Sequence, residues 1–167
     1  MRKKRVASIG IAILVLAVVG WAAPKQSEEE KIEEVVAAVL DAYRTANYQV
    51  MARYYAPEVT MVSGLHQPLI TGWENVRQAY LAQEARLKHV EFVRHDTLIR
   101  YKEKFAWVYY RWTFVGQVGQ GNVTTLGHTT LVLEKHGRHW LIVHNHTSAV
   151  APPAPPTQAP SPPSPRQ

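Results

Sequence analysis

FAWVYYRWTFV (residues 105–115), NVTTLGHTTLVLE (122–134) and WLIVHNHTS (140–148) are crowded with β-branched and aromatic residues. Gly119-Gln120-Gly121 and His136-Gly137-Arg138 punctuate them. Such residues fit a pleated, half-buried surface, and short glycine turns between long runs join antiparallel neighbours. A fourth run of the same character, Val90–Tyr101, precedes these three. The C-terminal half therefore reads as an antiparallel sheet of long, hairpin-linked strands.

Upstream the periodicity is helical. From Ser27 to Ala46, Ile32, Val35, Val36, Val39, Leu40 and Tyr43 recur at three- and four-residue intervals and form one apolar face. Ser27 and Glu30 have the spacing of a capping box. A second short helix is expected over Tyr48–Tyr55, ended by Pro57, and a strand over Val59–Ser63. Gly72 stops the next connection, and Trp73, Val76, Tyr80 and Leu87 make the stripe of a third helix over Trp73–Leu87. Helices first and a curled sheet afterwards define an α+β domain. One sheet face should pack on the helices, and the other, too apolar to stay wet, should meet a second subunit.

The ends differ from this middle. Arg2, Lys3, Lys4 and Arg5 precede an apolar run from Val6 to Ala23, the layout of an export leader. Cleavage after Ala22 would leave Gly20 and Ala22 at the positions a signal peptidase reads; an uncleaved inner-membrane anchor is the rival, since the run nearly spans a bilayer. Either way the domain is expected outside the cytoplasm, periplasmic or extracellular. After Val150, APPAPPTQAPSPPSPRQ favours extended polyproline II and reads as a disordered tail. The expected plan is thus 1–22 leader or anchor, 27–150 folded domain, 151–167 tail. There is no cysteine, so neither a disulfide nor a lipid-modified N-terminus can form. The net charge of +6 arises outside the domain: six of the 19 basic residues lie beyond Ser27–Val150, leaving 13 against 13 acidic residues. A neutral domain lacks the concentrated positive surface that nucleic acid requires.

Four stretches carry a family likeness. YYAPEVTMVSG (54–64) with ITGWENVRQAY (70–80), GHTTLVLEKHGRHW (127–140) and above all WLIVHNHTS (140–148) resemble the nuclear transport factor 2-like, SnoaL-like superfamily over about residues 30–149. The resemblance implies a cone-shaped, curved antiparallel sheet wrapped on three N-terminal helices. VYYRWT (108–113) is also similar to the arginine-bearing strand of the calmodulin-dependent protein kinase II association domain, which would place Arg111 in a pocket. Thr130 stands where a further pocket arginine would fall, and the chain has no kinase domain. Resemblance to ketosteroid isomerase puts Ser63 at the catalytic aspartate, and a serine cannot be that base.

Arg111 lies among large apolar neighbours and needs an anion, either an internal partner such as Glu134 or a ligand carboxylate. His144 and His146, two apart, leave the same strand face, with His128 able to approach them. Without a carboxylate companion they read as packed, hydrogen-bonded side chains, so no metal and no cofactor is expected. The resemblance sets Tyr54, Trp73 and Tyr80 around the open end of the cone, and Asn145 points away from the histidines. Which face lines a pocket stays open, because one bulge would reverse the parity. The ligand-pocket candidates are Tyr54, Trp73, Tyr80, Arg111, Thr130, Asn145 and His146. They suit a dimeric module for a small apolar or carboxylate-bearing ligand. Two other readings are a lyase or isomerase of an apolar carbonyl compound, using Asp41 or His146 with Tyr54, and an oligomeric assembly module.

Overall fold

The computed structural model describes residues 26–64, 66–86, 88–119 and 121–150. The expected leader and proline-rich tail lie outside these residues, as does Leu87. Among the described residues no helix is long and apolar enough to cross a membrane.

Helix α1 spans Glu28–Arg44 and begins on the expected capping box: Ser27 Oγ accepts from Glu30 N–H while Glu30 accepts from Ser27 N–H. Its buried face is Ile32, Val35, Val36, Val39 and Ala42. Helix α2 is one turn, Tyr48–Met51, capped by the Asn47 side chain. It is shorter than expected because strand β1, Tyr55–Ser63, starts well before Val59 and runs through Pro57. Strand β2, His66–Thr71, occupies what had read as a connection. Gly72, at φ +83, turns the chain into α3, Trp73–Glu84. Four long strands follow: β3 Lys88–Lys102, β4 Phe105–Val118, β5 Gly121–His136 and β6 His139–Val150.

These strands form one six-stranded sheet in the order β2-β1-β6-β5-β4-β3. Every adjacent pair is antiparallel except one: β1 runs parallel to β6, with Thr60 opposite His144 and Met61 opposite Asn145. The sheet is therefore mixed and open, with β2 and β3 at its edges and the first strand of the α+β fold set against the last. The α1 stripe packs with Met51, Val76, Val108, Leu131, Leu133, Trp140 and Ile142 into one core. The N-terminus of α1 is tied to the sheet by Glu28, whose carboxylate meets Lys31, Lys135 and the indole N–H of Trp140. Those two lysines hold the Glu28 carboxyl down at about 2.

Candidate functional site

Alternation along β4 turns Ala106, Val108, Tyr110, Trp112 and Phe114 inward and Trp107, Tyr109 and Arg111 outward. Strand β6 obeys the same rule only up to Ile142. It pairs Ile142 with Leu133 and then His144 with Val132, so Val143 is an extra residue and the parity shifts by one. Trp140 and Ile142 face inward before the bulge, and Asn145 faces inward after it. The bulge decides that an amide enters the cone and the two imidazoles stay outside.

Asn145 joins a chain of polar side chains within the apolar interior. The indole N–H of Trp112 donates to Thr129 Oγ1 at 3.1 Å, and Thr129 Oγ1 lies 2.8 Å from Thr147 Oγ1. Thr147 donates to Asn145 Oδ1 at 3.0 Å. At the other end of the amide, Asn145 Nδ2 donates to Tyr55 Oη and to Tyr80 Oη, each at 3.2 Å, and the two phenol oxygens are themselves 3.2 Å apart. Tyr55 is 3% and Asn145 5% exposed, so these groups have exchanged water for one another. Burial raises both phenols above the usual tyrosine range, Tyr80 far above it with the Tyr55 phenol adding to the effect. Both are neutral donors at physiological pH.

An aromatic layer covers the phenol pair. The Tyr48 ring stacks on Tyr80 at 6.2 Å, and the Trp73 ring lies 5.0 Å from that of Tyr55. Tyr48 is held by Glu84, to which its hydroxyl donates at 3.0 Å. On their far side Tyr48 and Trp73 line an open recess of about 630 Å³ between α2 and α3, with Asn47, Gln49 and Arg77 at its rim. Arg77 is occupied by Glu74.

Of the residues singled out from sequence, Tyr80, Asn145 and Trp73 come together here. Tyr54 is half-buried beside the core, but it is the neighbouring Tyr55 whose hydroxyl reaches the interior. Arg111, Thr130 and His146 lie on the opposite, outer face. Arg111 is 64% exposed and forks onto Asp96, not Glu134; Asp96 is turned toward it by a bulge in β3, where it adopts φ +48. The pocket placement of Arg111 is therefore corrected, because an odd-numbered residue of β4 shares its face with solvent. His144 bonds Thr60 and His146 bonds Ser148, each imidazole satisfied by a hydroxyl. Among the described residues no cluster of three His, Cys, Asp or Glu could hold a metal. Asp41 is exposed and paired with Arg44, so Asp41 or His146 with Tyr54 does not converge as an acid–base set. The residues missed, Tyr55, Trp112, Thr129 and Thr147, share the inward parity of Asn145 and follow from it once the Val143 bulge is known.

Comparison with known proteins agrees with this architecture. A ketosteroid isomerase-like protein from Erwinia carotovora atroseptica superposes with a TM-score of 0.66 at 16% identity, over 76% of this chain and 100% of its own. An NTF2-like protein from Cytophaga hutchinsonii gives 0.64 at 13%, over 75% and 100%. The CamKII hub homology domain of Chlamydomonas reinhardtii gives 0.63 at 23%, over 75% and 100%. At these identities the likeness establishes the fold. No curated protein matches the chain in sequence. The sequence model of the SnoaL-like domain matches residues 32–152, from the first buried residue of α1 past the end of β6. The chain belongs to the SnoaL-like family.

Proposed function

We propose that this protein is an exported, homodimeric module that binds a small, mainly apolar molecule in the interior of its cone, without a catalytic role. One observation carries the reading: a linked set of six polar side chains, Trp112, Thr129, Thr147, Asn145, Tyr55 and Tyr80, placed with the buried Tyr110 phenol inside a mainly apolar core. Buried polar groups weaken a core unless fully paired, so a polar line ending on two phenols beneath an aromatic layer suits recognition better than packing. An isomerase role loses support from Ser63 at the end of β1, where a carboxylate base would be needed.

Dimerisation is supported by the outer sheet face. Leu98, Trp107, Leu126 and Val150, each 41–55% exposed, fall on it by register. The same patch favours assembly as a second reading, to which the hub-like neighbour lends a precedent of fold. Export rests on the basic and apolar N-terminal residues. Native mass spectrometry of the full-length chain, expressed with its leader and gently purified, should give a dimer carrying a ligand of small mass. A bare monomer would refute both parts.

A further inference from the structure

Two aromatic rings border the recess between α2 and α3, and each is braced from behind. The Tyr48 ring stacks on Tyr80 with its hydroxyl donated to Glu84, and the Trp73 ring packs on Tyr55. Both are half-buried, so the core fixes one side of each ring while another meets open space. Hydrogen-bond donors stand around them. Asn47 spends its carbonyl oxygen on Val50 N–H and keeps its NH₂, and the exposed Gln49 lines the same recess. The indole N–H groups of Trp112 and Trp140 are taken by Thr129 and Glu28, whereas that of Trp73 has no acceptor among the described residues. The lining holds one charged side chain, Arg77, and Glu74 neutralises it. Fixed rings with amide and indole donors and no net charge suit an uncharged, apolar chain whose backbone accepts hydrogen bonds.

The sequence contains such a chain. Of residues 151–167 eight are proline, and one side chain, Arg166, is charged. Proline has no N–H, so its backbone presents carbonyl oxygens, and its preset φ leaves little entropy to lose on docking. In polyproline II every third residue falls on one edge, which aligns Pro160 with Pro163 and Pro162 with Pro165 as two ridges of rings. The distance also fits. Tyr55, on which Trp73 packs, is level with Ile142, eight positions before Val150, so the recess lies about 26 Å back along the strand from the end of β6. Residues 151–159 cover about 28 Å in polyproline II and bring residues 160–165 to the recess. A tether this short gives an effective concentration in the millimolar range, enough for weak contacts of proline on aromatic rings.

We infer that the recess between α2 and α3 is the docking site of this chain's own proline-rich segment, residues 160–165. Its proline rings rest on Tyr48 and Trp73, and its carbonyls accept from the Trp73 indole, Asn47 and Gln49. The recess is separate from the interior polar chain, and a docked segment covers the aromatic layer from outside.

The chain has no cysteine, so Gln167→Cys carries a single nitroxide label at the end of the segment in the full-length protein. In isotope-labelled protein the Trp73 indole signal should lose most of its intensity relative to the same sample with the nitroxide reduced. The Trp107 indole, on the outer sheet face, should keep most of its own. Changing Pro160, Pro162, Pro163 and Pro165 together to serine alters nothing in the folded domain and should abolish the extra loss at Trp73. Equal loss at the two indoles, or a loss at Trp73 that survives the serine changes, overturns the proposal. Mixing isotope-labelled chains that lack the nitroxide with nitroxide-bearing chains that lack the isotope shows whose segment docks. No loss at Trp73 in that mixture is expected; a loss as large as in the single-chain sample would assign the recess to a second copy's segment and overturn docking within one chain.

Discussion

Tyr55 Oη and Tyr80 Oη stand 3.2 Å apart although one opens β1 and the other lies on α3, and Asn145 Nδ2 is 3.2 Å from each. This triangle joins strand β1, helix α3 and strand β6 at the centre of the cone. Replacing Asn145 by leucine removes the partner of three hydroxyls at once. Leaving buried polar groups unpaired costs about 1–3 kcal/mol, and Asn145→Leu should fall at the upper end of that range in urea denaturation. Tyr80→Phe, which removes a single hydroxyl, should cost about 1 kcal/mol. Equal losses for the two variants would break the triangle as a cooperative unit.

Trp140 is 2% exposed, and its indole N–H reaches Glu28 across the start of α1. Trp140→Ala should destabilise by about 3–5 kcal/mol through the cavity it leaves. An unchanged denaturation midpoint would contradict its burial.

Gly127 faces the ring of Trp112 so closely that a Cβ there would lie 2.1 Å from Trp112 Cζ2 and 2.4 Å from the Ser148 carbonyl oxygen. The second neighbour is backbone and cannot swing aside. Gly127→Ala should therefore cost at least the 1–3 kcal/mol typical of overpacking, and should disturb the Trp112–Thr129 bond, read as a change in the indole N–H resonance. A thermally neutral variant with an unmoved indole signal would disprove the close approach.

Arg111 and Asp96 are 64% and 58% exposed, and exposed ion pairs contribute roughly 0–1 kcal/mol. Arg111→Gln should shift the midpoint by no more than that. A loss of several kcal/mol would mean that the pair is covered in the protein's working state, as a second subunit on the outer face would make it.

Five of the eight tyrosines, Tyr43, Tyr48, Tyr55, Tyr80 and Tyr110, are raised above the usual value, burial being the largest cause in each and Tyr43 reaching about 12. An acid whose folded value is raised keeps its proton longer when folded than when unfolded. Its contribution is complete below the unfolded value near 10 and is lost as pH climbs toward the folded one. Stability should accordingly fall between about pH 10 and 12, with these phenols ionising only as the domain unfolds. Ultraviolet titration should show a cooperative step coincident with loss of near-ultraviolet circular dichroism; smooth titration of all eight phenols in a folded protein would refute it.

Much of the fold was legible because period and punctuation agree with it. Ile32, Val35, Val36 and Val39 mark the buried face of α1, and Ser27 with Glu30 marks its start. The runs around Trp112, Leu131 and Ile142 mark three strands, and the turns at Gly119 and Gly137, both at positive φ, separate them. Strand β2 escaped because His66–Thr71 has neither alternation nor β-branched density sufficient to identify it. The parallel β1–β6 pairing escaped because nothing local in YAPEVTMVS names a partner 84 positions away. The placement of the candidates was half legible. Tyr80, Trp73 and Asn145 gather within the cone, whereas Arg111, Thr130 and His146 lie on the outer face; the sequence left the choice of face open, and for His146 and Asn145 it is decided by the extra residue at Val143, which pattern alone does not locate. Beside Tyr54 it is Tyr55, the first residue of β1, whose hydroxyl reaches the interior.

The side-by-side run of β1 and β6 also governs how the domain comes into being. Thr60 meets His144 only after almost the whole sheet has been made, so the segment formed first among the strands waits for the one formed last. Loops of that length are slow to close, and the fold is of the high-contact-order kind whose assembly is late and concerted rather than progressive. A chain emerging amino end first, from a ribosome or through a membrane, therefore keeps β1 and β2 without their neighbour β6 until residues near Asn145 are free. The same closure means that truncation anywhere before β6 removes the seam along which the two ends of the domain are joined, rather than one edge of the sheet.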